Sequence, residues 1–502
     1  MTQKKDSFFP YYIFIMAIYP TISLWAENYQ QVKPGVVLRP IVFSILVSLG
    51  IYYGLLFIFK DKLKAGAVGT FSVFLFLNYG RTYSTLIERN QWFQSQGRLN
   101  HLYLILSFLL ISYIFLKVYE KINIFDSIAI TGICVALLLL PSFQIGKLIV
   151  QEQKPYLPVD IELSPTYDNE ELPDIYHIVV DAYSRQDYLA QLGFDNSDFI
   201  NFLKGQGFYV ADCSKSNYSR TALSLTSTLN LDYLWRIFPD KNIHDRDDTA
   251  IYSALSNNLV HNELRNLGYQ FITTENGYYW SEHTKYADLL VKQDKPEFLR
   301  PYLSPFEKIF VQSTALRLLT DFIDFNELLN GYILNGLHYE QVQYSLGYLE
   351  KIPTIPGPKY VYYHITVPHD PYIFSPNGSI SSPLRGNQGY IRNIQFINSA
   401  LKPLVTNIIK QSEVPPVIII QGDHGSMLDN ENRFLILFAI YMPYGTSELY
   451  PSISPVNTYR VIFNQLFNTN FSLLKDKSIQ ADIGAPFRKN EAKLSEPQDF
   501  CP

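Results

Sequence analysis

Five long apolar stretches fill the first 150 residues, and they constrain the fold more than any other feature of the sequence. They run approximately over 9–26, 41–59, 65–85, 102–119 and 124–146. About 20 apolar residues are needed to cross the hydrocarbon core of a bilayer, and each segment must satisfy its own backbone there as a helix. The pattern therefore predicts a five-helix transmembrane domain over residues 1–150.

Two of these stretches allow alternatives. Arg81 interrupts the third stretch, so a re-entrant or tilted segment is an alternative to a full crossing. A cleaved signal peptide is the alternative for the first stretch. No small-residue cleavage site follows that stretch and four more apolar stretches do, which favours an uncleaved helix.

The positions of lysine and arginine favour a cytoplasmic N-terminus. With five crossings, the cytoplasmic segments hold Lys4, Lys5, Lys60, Lys62, Lys64, Lys117 and Lys121. The opposite segments are longer and hold Lys33, Arg39, Arg81, Arg89, Arg98 and Lys147. The higher density on the first side predicts a multi-pass cell-membrane protein whose C-terminal domain is extracytoplasmic.

Residues 151–172 are rich in proline and acidic side chains, which is typical of a linker. From residue 173 to 502, β-branched runs at 175–180, 360–367, 416–421 and 434–442 alternate with helical periodicity, as at 250–269 and 389–411. Apolar strands between helices predict an α/β domain with a mostly parallel sheet sandwiched by helices.

Composition excludes some classes of protein. The net charge is -5 and no run of lysine or arginine forms a basic tract, so nucleic acid is not an expected partner. The three cysteines, Cys134, Cys213 and Cys501, lie far apart and form no CxxC. They predict neither a disulfide framework nor a cysteine-rich zinc site. Nothing in the sequence indicates an oligomeric state.

Acidic and imidazole side chains follow three of the predicted strands. Asp181 ends the first, His364 and His369 lie at the end of the second, and Asp423-His424 follow the third. In parallel sheets, chemistry gathers at the carboxyl ends of the strands. Two carboxylates and an imidazole suit Zn²⁺ or Mn²⁺ better than Mg²⁺ or Ca²⁺.

Each residue also has a structural interpretation. Asp181 could cap a helix, and Asp423-His424-Gly425 could be an ordinary turn. His364 could be a satisfied core histidine, and His369 could cap a turn. Their joint appearance at strand ends favours a site.

A strand ending in Asp181, a Pro-His-Asp-Pro-Tyr turn at His369 and a later Gly-Asp-His-Gly at 422–425 resemble the alkaline phosphatase/sulfatase superfamily. The sequence is most similar to its membrane-bound transferase branch, which includes phosphoethanolamine transferases and lipoteichoic acid synthases. That branch has a similar plan, with about five N-terminal helices, a linker and an extracytoplasmic catalytic domain. The resemblance implies the same fold for residues 173–502.

The resemblance also implies roles for individual residues. Thr-Ala-x-Ser at 221–224 resembles the segment that holds the family's nucleophile, which implies Thr221, with Ser219 and Ser224 as alternatives. Asp181, Thr221, Asp423 and His424 would hold one metal ion. His369 would act on the substrate's phosphoryl or sulfuryl oxygens or help to bind a second metal. His364 is a weaker substrate-binding candidate. Arg220 and Arg433 could pair with an anionic group through two nitrogens, but a surface or structural role is favoured for both arginines.

The sequence departs from the family in several places. The transferases usually place Glu where Asp181 stands, no further histidine follows His424, and neither Cys-x-Pro-x-Arg nor Ser-x-Pro-x-Arg occurs. The sequence therefore predicts a metal-dependent enzyme that acts on phospho- or sulfo-esters through Thr221, transferring a headgroup to a lipid or surface glycan. A hydrolase (phosphatase or sulfuric ester hydrolase) and a degenerate, non-catalytic envelope-binding protein are the alternatives, and a transporter is disfavoured because the spans carry few charges.

Overall fold

The structure is a computed structural model that describes residues 9–118, 120, 122–152, 172–242, 244–245, 248–323, 332–430, 432–467, 469–482 and 484–492. The chain forms two compact units. Unit 1 comprises Met1–Gln153 and Lys295–Leu329, and unit 2 comprises Lys154–Asp294 and Asn330–Pro502.

The helices and strands of the described residues are numbered in chain order. The helices are α1 (Tyr12–Glu27), α2 (Leu38–Phe59), α3 (Lys62–Arg89), α4 (Gln91–Ser95), α5 (Leu99–Val118), α6 (Ile124–Glu152), α7 (Gln186–Gln191), α8 (Ser197–Gly205), α9 (Thr221–Leu229), α10 (Leu234–Ile237), α11 (Thr249–Ser256), α12 (Leu259–Asn266), α13 (Pro305–Ser313), α14 (Arg317–Phe322), α15 (Tyr332–Leu349), α16 (Gly386–Gln411) and α17 (Thr458–Leu466). The strands are β1 (Ile175–Val180), β2 (Tyr209–Val210), β3 (Gln270–Thr274), β4 (Leu289–Val291), β5 (Lys359–Ile365), β6 (Tyr372–Phe374), β7 (Ile380–Leu384), β8 (Val417–Gln421) and β9 (Phe438–Tyr441).

Each of the five apolar stretches forms a helix in unit 1. Within the described residues, three helical stretches are long and apolar enough to cross a membrane, namely Pro34–Phe59, Leu99–Val118 and Ile124–Val150. Helix α1 has 16 residues and would span only about 24 Å of a core roughly 30 Å thick. Helix α3 is one continuous helix rather than a re-entrant pair, with charged residues at both ends. A crossing by α1 or α3 therefore stays a prediction.

Residues 295–329 lie within the predicted C-terminal domain of the sequence. In the structure they group with the apolar helices of unit 1. Phe306 and Phe310 of α13 are buried in the same apolar cluster as Tyr12 and Ile13 of α1. Burial of large aromatic side chains is a strong stabilising contribution that local sequence patterns do not reveal. We call Lys295–Leu329 the strap.

Unit 2 is built on a seven-stranded sheet in the order β2-β9-β8-β1-β5-β3-β4. Strands β8, β1, β5, β3 and β4 are mutually parallel, and β9 runs antiparallel to both β8 and β2. Strand β6 pairs with β7 in a second, antiparallel sheet. Buried apolar clusters cover the two faces of the main sheet, as the mostly parallel α/β prediction requires.

The register of the sheet places the ends of its central strands side by side. Val180 of β1 lies opposite Ile365 of β5, and Val179 lies opposite Gln421 of β8. Residues that follow β1 and β8 therefore leave the sheet at one edge, and His364 is at that edge within β5.

Two local predictions need comment. The helical pattern over 250–269 forms two helices, α11 and α12, because Asn258 caps the second through a bond from His261 N. The cysteine prediction is wrong for Cys213, which is disulfide-bonded, whereas Cys134 is free and buried. The wide sequence spacing of the cysteines concealed this bond, since spacing alone carries no information on which residues the fold brings together.

Candidate metal and catalytic site

Asp181, Asp423 and His424 form a buried cluster at the carboxyl edge of the sheet. One ligand atom from each lies within 4.8 Å of the others. His424 Nε2 is 3.6 Å from Asp181 Oδ1 and 3.6 Å from Asp423 Oδ2. This spacing suits three donors around one divalent ion, whose bonds to such atoms are roughly 2.0–2.2 Å long.

The carboxylates are held in place on one side and lack partners on the other. Asp423 Oδ1 accepts a hydrogen bond from Ala182 N at 3.0 Å, and Ala182 has a positive φ of 63° that directs this N–H. Asp423 Oδ2 and Asp181 Oδ1 are buried, and no described residue forms a hydrogen bond with either oxygen. Buried carboxylate oxygens are costly unless something pairs with them, so this donor set fits a cation.

The tautomer of His424 is set by its neighbour. His424 Nδ1 lies 2.7 Å from the carbonyl oxygen of Gly425, which can only accept, so Nδ1 carries the proton. The lone pair of Nε2 therefore faces the two carboxylates. Gly425 is required here because a Cβ would lie 2.5 Å from the carbonyl oxygen of Leu435. A carbonyl that orients a metal-binding imidazole is a common outer-shell arrangement.

Thr221 lies beside this cluster as the first residue of α9. Its Oγ1 is 3.2 Å from His424 Nε2. No side chain caps the helix, so the N–H groups of its first turn remain available to an anion. Of the alternatives, Ser224 is completely buried within α9 and its Oγ has no partner in the described residues.

His364 supports Asp181 rather than facing an open space. Its Nε2 is 3.4 Å from Asp181 Oδ2. Its Nδ1 is 3.3 Å from the amide nitrogen of Asn276 and 3.2 Å from Ser281 Oγ. An amide nitrogen can only donate, so His364 Nδ1 accepts and Nε2 carries the proton toward Asp181. This places His364 as a positioning residue.

His369 lies above the cluster, with its ring 6.3 Å from that of His424. Its backbone N–H donates to the carbonyl oxygen of Asp181 at 3.1 Å, and its Nδ1 donates to the carbonyl oxygen of Asp370 at 2.8 Å. Burial lowers the pKa of His369, but the carboxylates of Asp181, Asp370 and Asp423 outweigh burial and the net shift is upward. A protonated imidazole here suits an anionic substrate.

The pKa of Asp181 shifts in the opposite direction, downward. Burial raises the pKa of Asp181, but the positive charge of His369 and a hydrogen bond from His364 outweigh burial and hold the pKa below its usual range. The carboxylate therefore stays ionised, as a metal ligand must be.

The two arginine candidates differ in what they contact. Arg220 is paired with Asp482, with Nε 2.9 Å from Oδ1, so its guanidinium is already occupied. Arg433 is buried, and its Nε has no hydrogen-bond partner in the part of the chain that the structure describes. Its Nη2 contacts the sulfur of Met427, a weak acceptor, at 2.6 Å. Burial lowers the pKa of Arg433, while Asp423, Asp482 and Asp181 act to raise it. Arg433 is thus the better candidate for holding an anionic group.

Sequence reasoning missed the contribution of the end of β3. Asn276 and Ser281 hold His364, and the phenol of Tyr278 lies within electrostatic reach of Asp181, Asp370 and Asp423. Burial, with a contribution from these carboxylates, raises the pKa of Tyr278, so its hydroxyl remains a donor. The sequence feature that could have predicted this element is the run Gln270–Thr274. Three of its five residues are polar, so it is a weak candidate for a buried strand.

No family model matches the chain, and no curated protein matches it. Among solved structures, the C-terminal periplasmic domain of EcEptC from Escherichia coli is similar, at 12% identity over 68% of this chain and 99% of that one, with a TM-score of 0.43. An integral membrane lipooligosaccharide phosphoethanolamine transferase (EptA) from Neisseria meningitidis is similar at 13% identity over 83% and 69%, with a TM-score of 0.35.

A third similar structure is the lipoteichoic acid synthase LtaP from Listeria monocytogenes, at 11% identity over 64% of this chain and 77% of that one, with a TM-score of 0.37. Function is argued below from the site itself, because one fold can serve many reactions. The structures to which this chain is similar thus include both kinds of protein that its motifs resemble, the phosphoethanolamine transferases and the lipoteichoic acid synthases.

Proposed function

We propose that this chain is a membrane-anchored, metal-dependent enzyme that cleaves phospho- or sulfo-esters through a covalent intermediate on Thr221. One observation carries the proposal. A hydroxyl at a helix N-terminus lies 3.2 Å from an imidazole lone pair whose neighbouring carboxylates have unpartnered oxygens. Such a set of groups is costly to bury without a function.

Asp181, Asp423, His424 and Thr221 would hold a single Zn²⁺ or Mn²⁺ ion. When bound, such an ion lowers the pKa of a coordinated hydroxyl and stabilises charge on an ester oxygen. The donors are two carboxylate oxygens, one neutral imidazole nitrogen and one hydroxyl, a mixed nitrogen and oxygen set that favours these metals over Ca²⁺.

The residues of the chain would carry the reaction as follows. Thr221 Oγ attacks phosphorus or sulfur, the bond to the leaving oxygen breaks, and the threonine proton ends on that oxygen. His369, the first turn of α9 and Arg433 hold the charge on the equatorial oxygens. An acceptor hydroxyl or water then attacks the threonine ester, and Thr221 is released with its proton restored.

A membrane anchor favours a lipid or a surface glycan as donor or acceptor, and therefore headgroup transfer over hydrolysis. The disulfide at Cys213 favours an oxidising compartment, which supports an extracytoplasmic location for unit 2 and a cytoplasmic N-terminus. Hydrolysis differs only in that water takes the place of the acceptor hydroxyl.

Metal content is the first test. We expect about one Zn or Mn per chain by mass spectrometry in protein purified without chelators, and its loss in Asp423→Ala. Asp198→Ala is the matched control, because Asp198 is exposed and its carboxylate pairs with Lys402. Absence of metal in the wild type would contradict the proposal and favour the non-catalytic binding protein.

Trapping the intermediate is the second test. The wild type would be incubated with aryl phosphate, diaryl phosphate and aryl sulfate, quenched in acid and digested. The peptide with Thr221 should carry the added phosphoryl or sulfuryl group, and Thr221→Ala should carry none. Modification at Ser219 or Ser224 instead would overturn the choice of Thr221.

A further inference from the structure

The strap is held tightly on the helices of unit 1. Arg39, at the start of α2, donates through two nitrogens to the carboxylate of Glu307 and also to the carbonyl oxygens of Arg300 and Tyr302. Ala315 N donates to the carbonyl oxygen of Phe76 at 2.8 Å. These bonds attach the strap to the start of α2 and to α3.

Gly80 shows how closely α13 approaches α3. A Cβ at Gly80 would lie 1.9 Å from the carbonyl oxygen of Gln312, so no larger residue fits without moving the strap. Beside this contact, the strap and the C-terminal ends of α1 and α3 line a cavity of about 450 Å³. Its lining is Leu24, Glu27, Asn28, Gly80, Arg81, Ser84, Thr85, Glu88, Lys308, Ile309, Gln312 and Ser313.

Lys308 is the unbalanced charge in this cavity. It is half-buried, and no carboxylate of the described residues lies within ion-pair distance of its Nζ. Burial lowers its pKa, with no contribution from a carboxylate. Arg81 is already paired with Glu27 at 3.2 Å, and both Glu27 and Glu88 are exposed at the rim. The interior of the cavity therefore offers an ammonium, hydroxyls and amides, which is a set suited to a phosphate group.

The position of the cavity along the helices points to a lipid as the source of that phosphate. It lies where apolar turns of α3 give way to Arg81, Glu88 and Arg89. Two aromatic pairs lie near the ends of these helices: the ring of Trp25, in the last turn of α1, is 5.8 Å from that of Tyr29, and the ring of Trp92, just after α3, is 5.7 Å from that of Tyr103. Tryptophan and tyrosine concentrate at the depth of lipid headgroups.

We propose that this cavity binds the headgroup phosphate of a membrane phospholipid, with Lys308 as its cationic partner and Ser84 as a hydroxyl donor, since the oxygen of Ser84 accepts from Arg317 at 2.7 Å and its proton remains available. The strap supplies Lys308, so a lipid bound here also ties the strap to the membrane helices. The role assigned to this site is binding, and it goes beyond the reaction proposed for Thr221.

Native mass spectrometry of the full chain in detergent tests the site. The probes are dioleoyl phosphatidylglycerol, whose only charge is its phosphate, dioleoylglycerol with the same acyl chains but no phosphate, and glycerol 3-phosphate. The Thr221→Ala background prevents turnover. We expect Lys308→Met to weaken phosphatidylglycerol binding about tenfold, and Lys308→Arg to restore it to within about threefold.

Lys147→Met is the matched control, because Lys147 is exposed near the end of α6 and would report non-specific attraction to lipid. Unchanged phosphatidylglycerol binding in Lys308→Met, or equal loss in Lys147→Met, would overturn the site. If dioleoylglycerol binds equally well, the site does not recognise a phosphate group. If glycerol 3-phosphate displaces phosphatidylglycerol at a similar concentration, the site binds a free phosphate ester and not specifically a lipid. Since the readout is binding, loss of the threonine ester in the trapping experiment would leave this result unaffected.

Discussion

His101 in unit 1 and His424 in unit 2 are both buried next to aspartate, and the two clusters differ in how their polar atoms are partnered. His101 Nδ1 bonds to the hydroxyl of Tyr79 at 3.0 Å and its Nε2 to Asp321 at 3.1 Å. Asp321 also accepts from Arg317 at 2.9 Å. The chain thus provides a partner for each of these groups.

Around His424, by contrast, the atoms that face one another lack partners. Among the residues that the structure describes, Asp181 Oδ1 and Asp423 Oδ2 accept no hydrogen bond, and the hydroxyl of Thr221 lies within hydrogen-bond distance of His424 Nε2. A buried polar network that is complete stabilises the fold, whereas an incomplete one indicates a ligand that the chain does not supply. The comparison predicts opposite results for matched substitutions in the two clusters.

The largest expected difference is in activity. Thr221→Ala should lower turnover of whichever ester the wild type cleaves by at least about a thousandfold, because the attacking oxygen is lost. Thr221→Ser should recover part of the rate. His101→Phe should leave turnover per folded molecule within a few fold, and a loss as large as that of Thr221→Ala would break the comparison.

The next difference is in stability, measured by thermal unfolding in detergent with and without metal. Asp321→Asn should cost about 2 kcal/mol, because it removes the charged acceptor of two donors. Asp423→Asn should cost nothing in the presence of chelator, since Asp423 Oδ2 has no partner to lose. Metal at a hundredfold excess over its Kd should stabilise the wild type by about 2.7 kcal/mol and leave Asp423→Asn unchanged.

The control for that pair is Asp198→Asn, because the carboxylate of Asp198 is 91% exposed. This substitution should change the free energy of unfolding neither with metal nor with chelator. A cost for Asp423→Asn in chelator equal to that of Asp321→Asn would show that the carboxylate near His424 is structural.

Strand-end reasoning explains how much of the site could be predicted from sequence. Asp181, Asp423 and His424 each follow an apolar run, and the parallel register of β1 with β8 places them at one edge. The apolar pattern of each strand and the position of these residues at the end of it therefore predicted them without knowledge of tertiary contacts. Thr221 came from resemblance, because nothing in the local pattern of α9 reveals which strand end it faces.

Other parts of the structure could not be predicted for physical reasons. Arg317 and Asp321 are four residues apart on α14, a spacing typical of an ordinary exposed ion pair. Only the tertiary packing of the strap brings His101 to Asp321. Arg39 and Glu307 are likewise separated by 268 residues, and burial of α13 on the membrane helices decides the contact.

Acid should expose another incompletely partnered histidine in unit 2. Burial, assisted by His364, lowers the pKa of His283 from 6.5 to about 4, and its Nε2 has no partner. A depressed histidine pKa stabilises the fold fully above pH 6.5 and loses that contribution as the pH falls toward 4. We expect His283 to contribute a loss of about 1.4 kcal/mol per pH unit across this window, in addition to the losses from His177 and His261, whose pKa values burial also lowers.

In the pH dependence of unfolding, His283→Asn should lower the slope by about 1.4 kcal/mol per pH unit, and asparagine tolerates the positive φ of 50° at this position. His244→Asn, at an exposed position, should keep the wild-type slope. An unchanged slope in His283→Asn would assign the acid sensitivity to another group.

The smallest effect separates two arginines by the same rule. Arg433 is buried with an unpartnered Nε, whereas Arg220 already pairs with Asp482. Lysine keeps the charge but loses the planar fork that binds two oxygens at once. Arg433→Lys should therefore weaken inhibition by orthophosphate about tenfold and leave metal content unchanged, whereas Arg220→Lys should change inhibition by less than about threefold. If Arg220→Lys weakens inhibition as much as Arg433→Lys does, an arginine that already has a partner also binds the anion. The lack of a partner would then not distinguish the groups of this site that bind the anion.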